Sequence, residues 1–131
     1  MYELEEIAPG LSTYAATITL KANRPQNTLR WQEQSQGLFN YLAKNIKETP
    51  KTIIGHLKGY LKLGEQGYYY FSNVGSSTTN ISGQAQGEAE EANFDVNLLV
   101  FNLAYDKIGQ LLHQGLERYF GGFSFQVVEE G

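Results

Sequence analysis

A chain of 131 residues without a single cysteine has no thiol nucleophile and no ligands for Cys-bound zinc or an iron–sulfur cluster. Fourteen Asp and Glu against ten Lys and Arg give a net charge of −4, which opposes broad binding to a polyanion, and only two histidines are available for acid–base work near neutrality. The length suits one domain that buries roughly two-thirds of its unfolded surface without disulfides or a structural metal, so a single α+β domain over residues 1–131 is expected.

In chain order, residues 1–11 read as an arm, acidic at Glu3, Glu5 and Glu6 and ending in the turn-forming Pro9-Gly10. The arm lacks the basic start of a secretory signal. The longest uninterrupted apolar run, Leu98-Leu99-Val100-Phe101, falls far short of the ~20 residues of a membrane helix. A soluble, cytoplasmic protein with no membrane contact is expected.

Strict alternation marks residues 12–22 as a half-buried strand, with Tyr14, Ala16, Ile18 and Leu20 inward and Thr13, Thr17, Thr19 and Lys21 outward. Asn23-Arg24-Pro25-Gln26 is expected to break it. A helix follows to about Lys47, capped by Asn27 or Thr28, with Trp31, Ser35, Leu38, Phe39, Leu42 and Ile46 on one stripe and Tyr41 at its edge. Thr49-Pro50 ends that helix.

Residues 52–63 and 68–74 form two strands around Gly64-Glu65-Gln66-Gly67. A turn centred between Glu65 and Gln66 sets Leu63 against Tyr68, Leu61 against Tyr70 and Leu57 against Val74 on the core side. The outer side then carries His56, Lys58, Tyr60 and Lys62 beside Tyr69, Phe71 and Asn73. Beyond the polar loop at 75–79, strands at 80–87 and 92–101 are expected to pair around Glu88-Ala89-Glu90-Glu91. Ala85 would face Phe94, Gly83 would face Val96, and Ile81 would face Leu98. A second helix, 103–119 and capped by Asn102, presents Ile108, Leu111, Leu112, Gly115, Leu116 and Tyr119, and Gly121-Gly122 stops it. A short final strand covers 123–127. The order β-α-β-β-β-β-α, with that last β, predicts an antiparallel sheet with two helices on one face.

Catalytic signatures are weak. His56 and His113 share no HxH or HxxxH spacing, and Ser76-Ser77-Thr78-Thr79 has no nucleophile elbow around it. No phosphate-binding glycine motif occurs, and Glu88, Glu90, Glu91 and Asp95 lack the spacing of an EF-hand. No cofactor and no metal are expected, and the chain reads as non-catalytic.

The informative feature is the outer sheet face with His56, Lys58, Tyr60, Lys62, Tyr69 and Phe71, joined by Leu99 and Phe101. A face this aromatic calls for a cover. A second copy of the chain is the leading expectation, giving a homo-oligomer and a binding or assembly protein. Single-stranded nucleic acid, stacked on the aromatics with Lys58 and Lys62 at the phosphates, is opposed by the net charge. The alternative is a small-molecule ligand or substrate in a pocket between the first helix and the sheet. That pocket would end at His56, use Tyr60 or Tyr69, and open above Gly55 and Gly59, unless Trp31 or Tyr41 packs into the space.

Overall fold

β1 (Leu11–Asn27) alternates as the sequence requires: Tyr14, Ala16, Ile18, Leu20 and Ala22 are buried, and the threonines between them point away. The computed structural model describes residues 10–130, so residues 1–9 of the expected arm lie outside the described residues. Asn23-Arg24-Pro25 does not end β1. It forms a bulge between the pairs Lys21↔Glu91 and Gln26↔Ala89, because the three exposed residues can leave the ladder without losing buried contacts.

The strand runs straight into α1 (Thr28–Glu48), where the Asn27 side chain accepts a 2.7 Å hydrogen bond from the Leu29 N–H. This satisfies one of the free donors of the first turn. Trp31, Ser35, Leu38, Phe39, Leu42 and Ile46 make the buried stripe, as their spacing dictates. Ser35 is fully buried, and its hydroxyl has no hydrogen-bond partner among the described residues. Ser35→Ala should therefore leave stability unchanged or raise it by up to ~1 kcal/mol, since Ala also favours the helix. A denaturant midpoint that falls markedly would show that this hydroxyl is bonded.

Four strands follow: β2 (Ile53–Lys62), β3 (Gly67–Asn73), β4 (Asn80–Ala85) and β5 (Glu88–Phe101). Then come α2 (Tyr105–Phe120) and β6 (Ser124–Glu129). They form one six-stranded antiparallel sheet in the order β4-β3-β2-β5-β1-β6, with both helices on one face. Each helix joins two parallel strands with one antiparallel strand between them: α1 carries β1 over β5 to β2, and α2 carries β5 over β1 to β6. No helix among the described residues is long and apolar enough to cross a membrane.

Two expected pairings are corrected. β4 does not pair with β5. It pairs with β3, setting Tyr69 against Gly83 and Phe71 against Ile81, while β5 inserts between β1 and β2. The link Gln86-Gly87 passes the tip of the β2–β3 hairpin, where Gln86 N–H donates to Gln66 C=O and Thr28 N–H donates to Gly87 C=O, both at 2.9 Å. Glu88 to Glu91, read as a turn, are the first residues of β5, where Glu88, Ala89 and Glu91 pair with β1. The Ala89 carbonyl there accepts a buried 2.8 Å bond from the Trp31 indole.

The second correction is the β2–β3 register. The turn is centred on Glu65, a 3₁₀ turn over Gly64–Gln66 closed by the Leu63 N–H on the Gly67 carbonyl, and the last pair is Lys62↔Tyr68. Gly67 holds φ at +125°, and a Cβ there would strike the Gln84 carbonyl 2.2 Å away, so only glycine fits. One residue of slip reverses every side chain of β3. Tyr69 and Phe71 are core residues, 6% and 1% exposed, and Tyr68 and Tyr70 take the outer face. Leu57 meets Asn73, and Val74 is exposed.

At the centre of the core, Phe39 lies 5.8 Å from the rings of both Phe71 and Phe94, which are 5.7 Å apart. A Cβ on Gly59 would stand 2.6 Å from the Phe39 ring, so Phe39, rather than Trp31 or Tyr41, occupies the space above that glycine. α2 starts two residues later than expected. Ala104 takes the cap position, and the Asn102 amide, at φ +64°, donates instead to the Lys51 carbonyl. Leu112 is buried and Gln110 exposed, in the predicted phase.

Candidate functional site

The alternation of β2 delivers His56, Lys58, Tyr60 and Lys62 to the face opposite the helices. A bulge at Gly55, between Ile54↔Val100 and His56↔Leu99, sets this phase, and His56 lies half-buried beside Leu99. From β3 the same face receives Tyr68 and Tyr70, which the sequence had assigned to the core. Tyr69 and Phe71 belong to the opposite side.

The three outer tyrosines form one cluster. Tyr60 and Tyr70 are direct cross-strand partners whose rings stack at 4.5 Å and 17°. Tyr68 stands edge-on to both, at 6.0 and 5.3 Å. The Lys62 ammonium lies 5.5 Å from the Tyr60 ring centre and 3.1 Å from the Asp95 carboxylate, which also accepts a 3.0 Å bond from the Thr17 hydroxyl. The rings stand upright and hold one another in place. Tyr60 has Tyr70 stacked against its ring and the Lys62 ammonium near the same ring. Partial desolvation, together with the neighbouring Tyr60, raises the Tyr70 phenol above its ordinary value.

Tyr68 is 41% exposed and Tyr70 is 46% exposed, although both are large and mostly apolar. Beside this ridge lies an open depression of about 640 Å³, lined by Lys58, Tyr60, Tyr70, Ser72, Asn97 and Glu130 among others. At one end of the sheet, Leu11 and Ile53 flank Phe101 in register, and both are well exposed. Leu11 and Ile53 were not singled out from the sequence. Their signal was position, at the two strand ends that meet Phe101.

Elsewhere the residues considered for chemistry do not converge. His113 is exposed on α2, on the helical side of the sheet, whereas His56 is on the other. No group of three or more His, Asp or Glu among the described residues is arranged to hold a metal ion. Thr79 is structural: its hydroxyl donates to Asn40 Oδ1 at 2.6 Å and accepts from the buried Asn73 amide. The Asn73 amide also donates to the Ser76 carbonyl, so the 75–79 loop is tied to β3 through Asn73 and to α1 through Asn40. The space above Gly59, where the alternative pocket between α1 and the sheet would open, is taken by Phe39.

No protein-family model matches the chain, and no curated protein or solved structure matches it either.

Proposed function

We propose that this protein is a non-catalytic assembly or binding module that self-associates through the outer face of its sheet. The observation that carries this reading is the Tyr60–Tyr68–Tyr70 cluster, with Tyr68 and Tyr70 exposed and Tyr60 half-buried, on a face that neither helix covers. Tyrosines pre-stacked in fixed rotamers lose little entropy on contact and contribute large apolar area, the character of interface centres. The exposed Leu11 and Ile53 beside Phe101 extend the apolar area to one end of the sheet.

Shape and charge favour a second copy as the partner. A ridge beside a depression on one face is self-complementary under a twofold axis, which sets each ridge into the other copy's hollow. The same face mixes Lys58 and Lys62 with Asp95 and Glu130, so two copies can meet with opposite charges in register. That mixture of charges disfavours a nucleic acid, whose backbone needs a basic surface.

The depression supports a second reading, in which a small polar molecule occupies it between Tyr70, Ser72, Lys58 and Asn97. Hydroxyl-radical footprinting separates the two. Self-association predicts that oxidation of Tyr68 and Tyr70 falls as protein concentration rises, while exposed Leu29 on α1 stays equally reactive. Reactivity of both tyrosines that is independent of concentration would reject self-association through this face.

A further inference from the structure

The sheet ends in two strands that have no second neighbour among the described residues, β4 and β6, and they differ. β4 contains Gly83 at φ +101°, which breaks the extended backbone of that edge. β6 has no residue at positive φ, no proline and no lysine, so its backbone runs unbroken along the edge, and its one charged side chain, Glu129, is engaged by Tyr14 and Tyr105. Its exposed Val128 adds apolar surface.

The phase of the edge can be read from its inner ladder. Glu130 N–H donates to the Ala15 carbonyl at 2.9 Å, and the pairs Thr17↔Val128, Thr19↔Gln126 and Lys21↔Ser124 continue that phase. In an antiparallel ladder alternate residues turn their polar groups away. Phe125, Val127 and Glu129 therefore direct N–H and C=O outward. The strand is also tied down at its end. The Glu129 carboxylate accepts from the Tyr14 hydroxyl at 2.9 Å and from the Tyr105 hydroxyl at 3.3 Å, and the Glu130 carboxylate accepts from Thr17. Burial, reinforced by that bond to Glu129, holds the Tyr14 phenol protonated well beyond its usual range.

We infer that β6 pairs antiparallel with β6 of a second copy, centred on Val127, to make one continuous sheet across two chains. That register sets Val127 against its own counterpart and Phe125 against Glu129, so all three outward-facing residues exchange their hydrogen bonds. It keeps Glu129 and Glu130 away from the same residues of the other copy. Glu130 falls opposite Ser124, whose β1 neighbour on the same face is Lys21, an opposite charge within a side chain's reach. The contact uses the edge of the sheet and not its tyrosine face, so it stands or falls apart from the proposal above.

Val127→Pro tests it, because the proline removes an outward N–H that β1 does not use. The variant should run at half the parent's mass while the Val128 amide, bonded to β1, stays protected from exchange. In the parent, the Val127 and Glu129 amides should exchange more slowly as concentration rises, and Tyr70→Glu should leave that slowing intact. A parent whose Val127 amide exchanges at one fast rate at every concentration would overturn the inference. So would a Val127→Pro variant that keeps β6 and the parent's mass. If the proline disorders β6, the exchange of the parent amides decides alone.

Discussion

Phe39→Ala should lower unfolding stability by about 3–5 kcal/mol, the range for removing a buried aromatic ring from a packed core. Phe39 is fully buried and touches the rings of Phe71 and Phe94, one from each of two different strands, while its tip rests over Gly59. Collapse cannot repair the loss, because the floor at Gly59 has no side chain to move upward. Chemical denaturation of the parent and the variant measures the effect. A loss below ~1 kcal/mol would mean that the space between α1 and the sheet is not filled as described, and would reopen a pocket there.

Tyr69→Glu should be at least as damaging, and it bears on the register. Tyr69 is 6% exposed and faces the core beside Phe71, with ring centres 6.4 Å apart. A carboxylate at that point is desolvated beside the Phe71 ring, a change that costs several kcal/mol. Tyr70→Glu, one residue away, leaves its charge in solvent on the single chain, so at concentrations where the parent is dissociated its thermal midpoint should stay within a few degrees of the parent's. Equal stability of the two variants would contradict the register, since only a β3 shifted by one residue makes Tyr69 the exposed member.

The helices were legible because their signals are local. Asn27 before a run with Trp31, Leu38, Leu42 and Ile46 at helical spacing states both the cap and the buried face, and the alternation from Tyr14 to Leu20 states a strand. The half of the site on β2 was legible for the same reason: His56, Lys58, Tyr60 and Lys62 alternate with Leu57, Gly59 and Leu61. Its other half was not. Tyr68-Tyr69-Tyr70-Phe71 is aromatic at every position, so a slip of one residue trades one aromatic face for another and leaves no mark in the pattern. What decides it is the odd-numbered turn, and that depends on Gly67 against the Gln84 carbonyl of a third strand. The insertion of β5 between β1 and β2 is long-range in the same way, because Glu88 to Glu91 read as a polar turn until Asn27 and Lys21 are there to pair with them.

The mass of the protein in solution, measured by light scattering for the parent and for Tyr70→Glu at micromolar concentration, tests the central claim most directly. Tyr70 stands in the middle of the outer tyrosine cluster, where a buried charge removes the most binding energy. The account predicts a parent that runs as a dimer or larger, and a Tyr70→Glu variant with unchanged helical content and a lower mass. A parent that is monomeric across the range, or a Tyr70→Glu variant with the parent's mass, would contradict it.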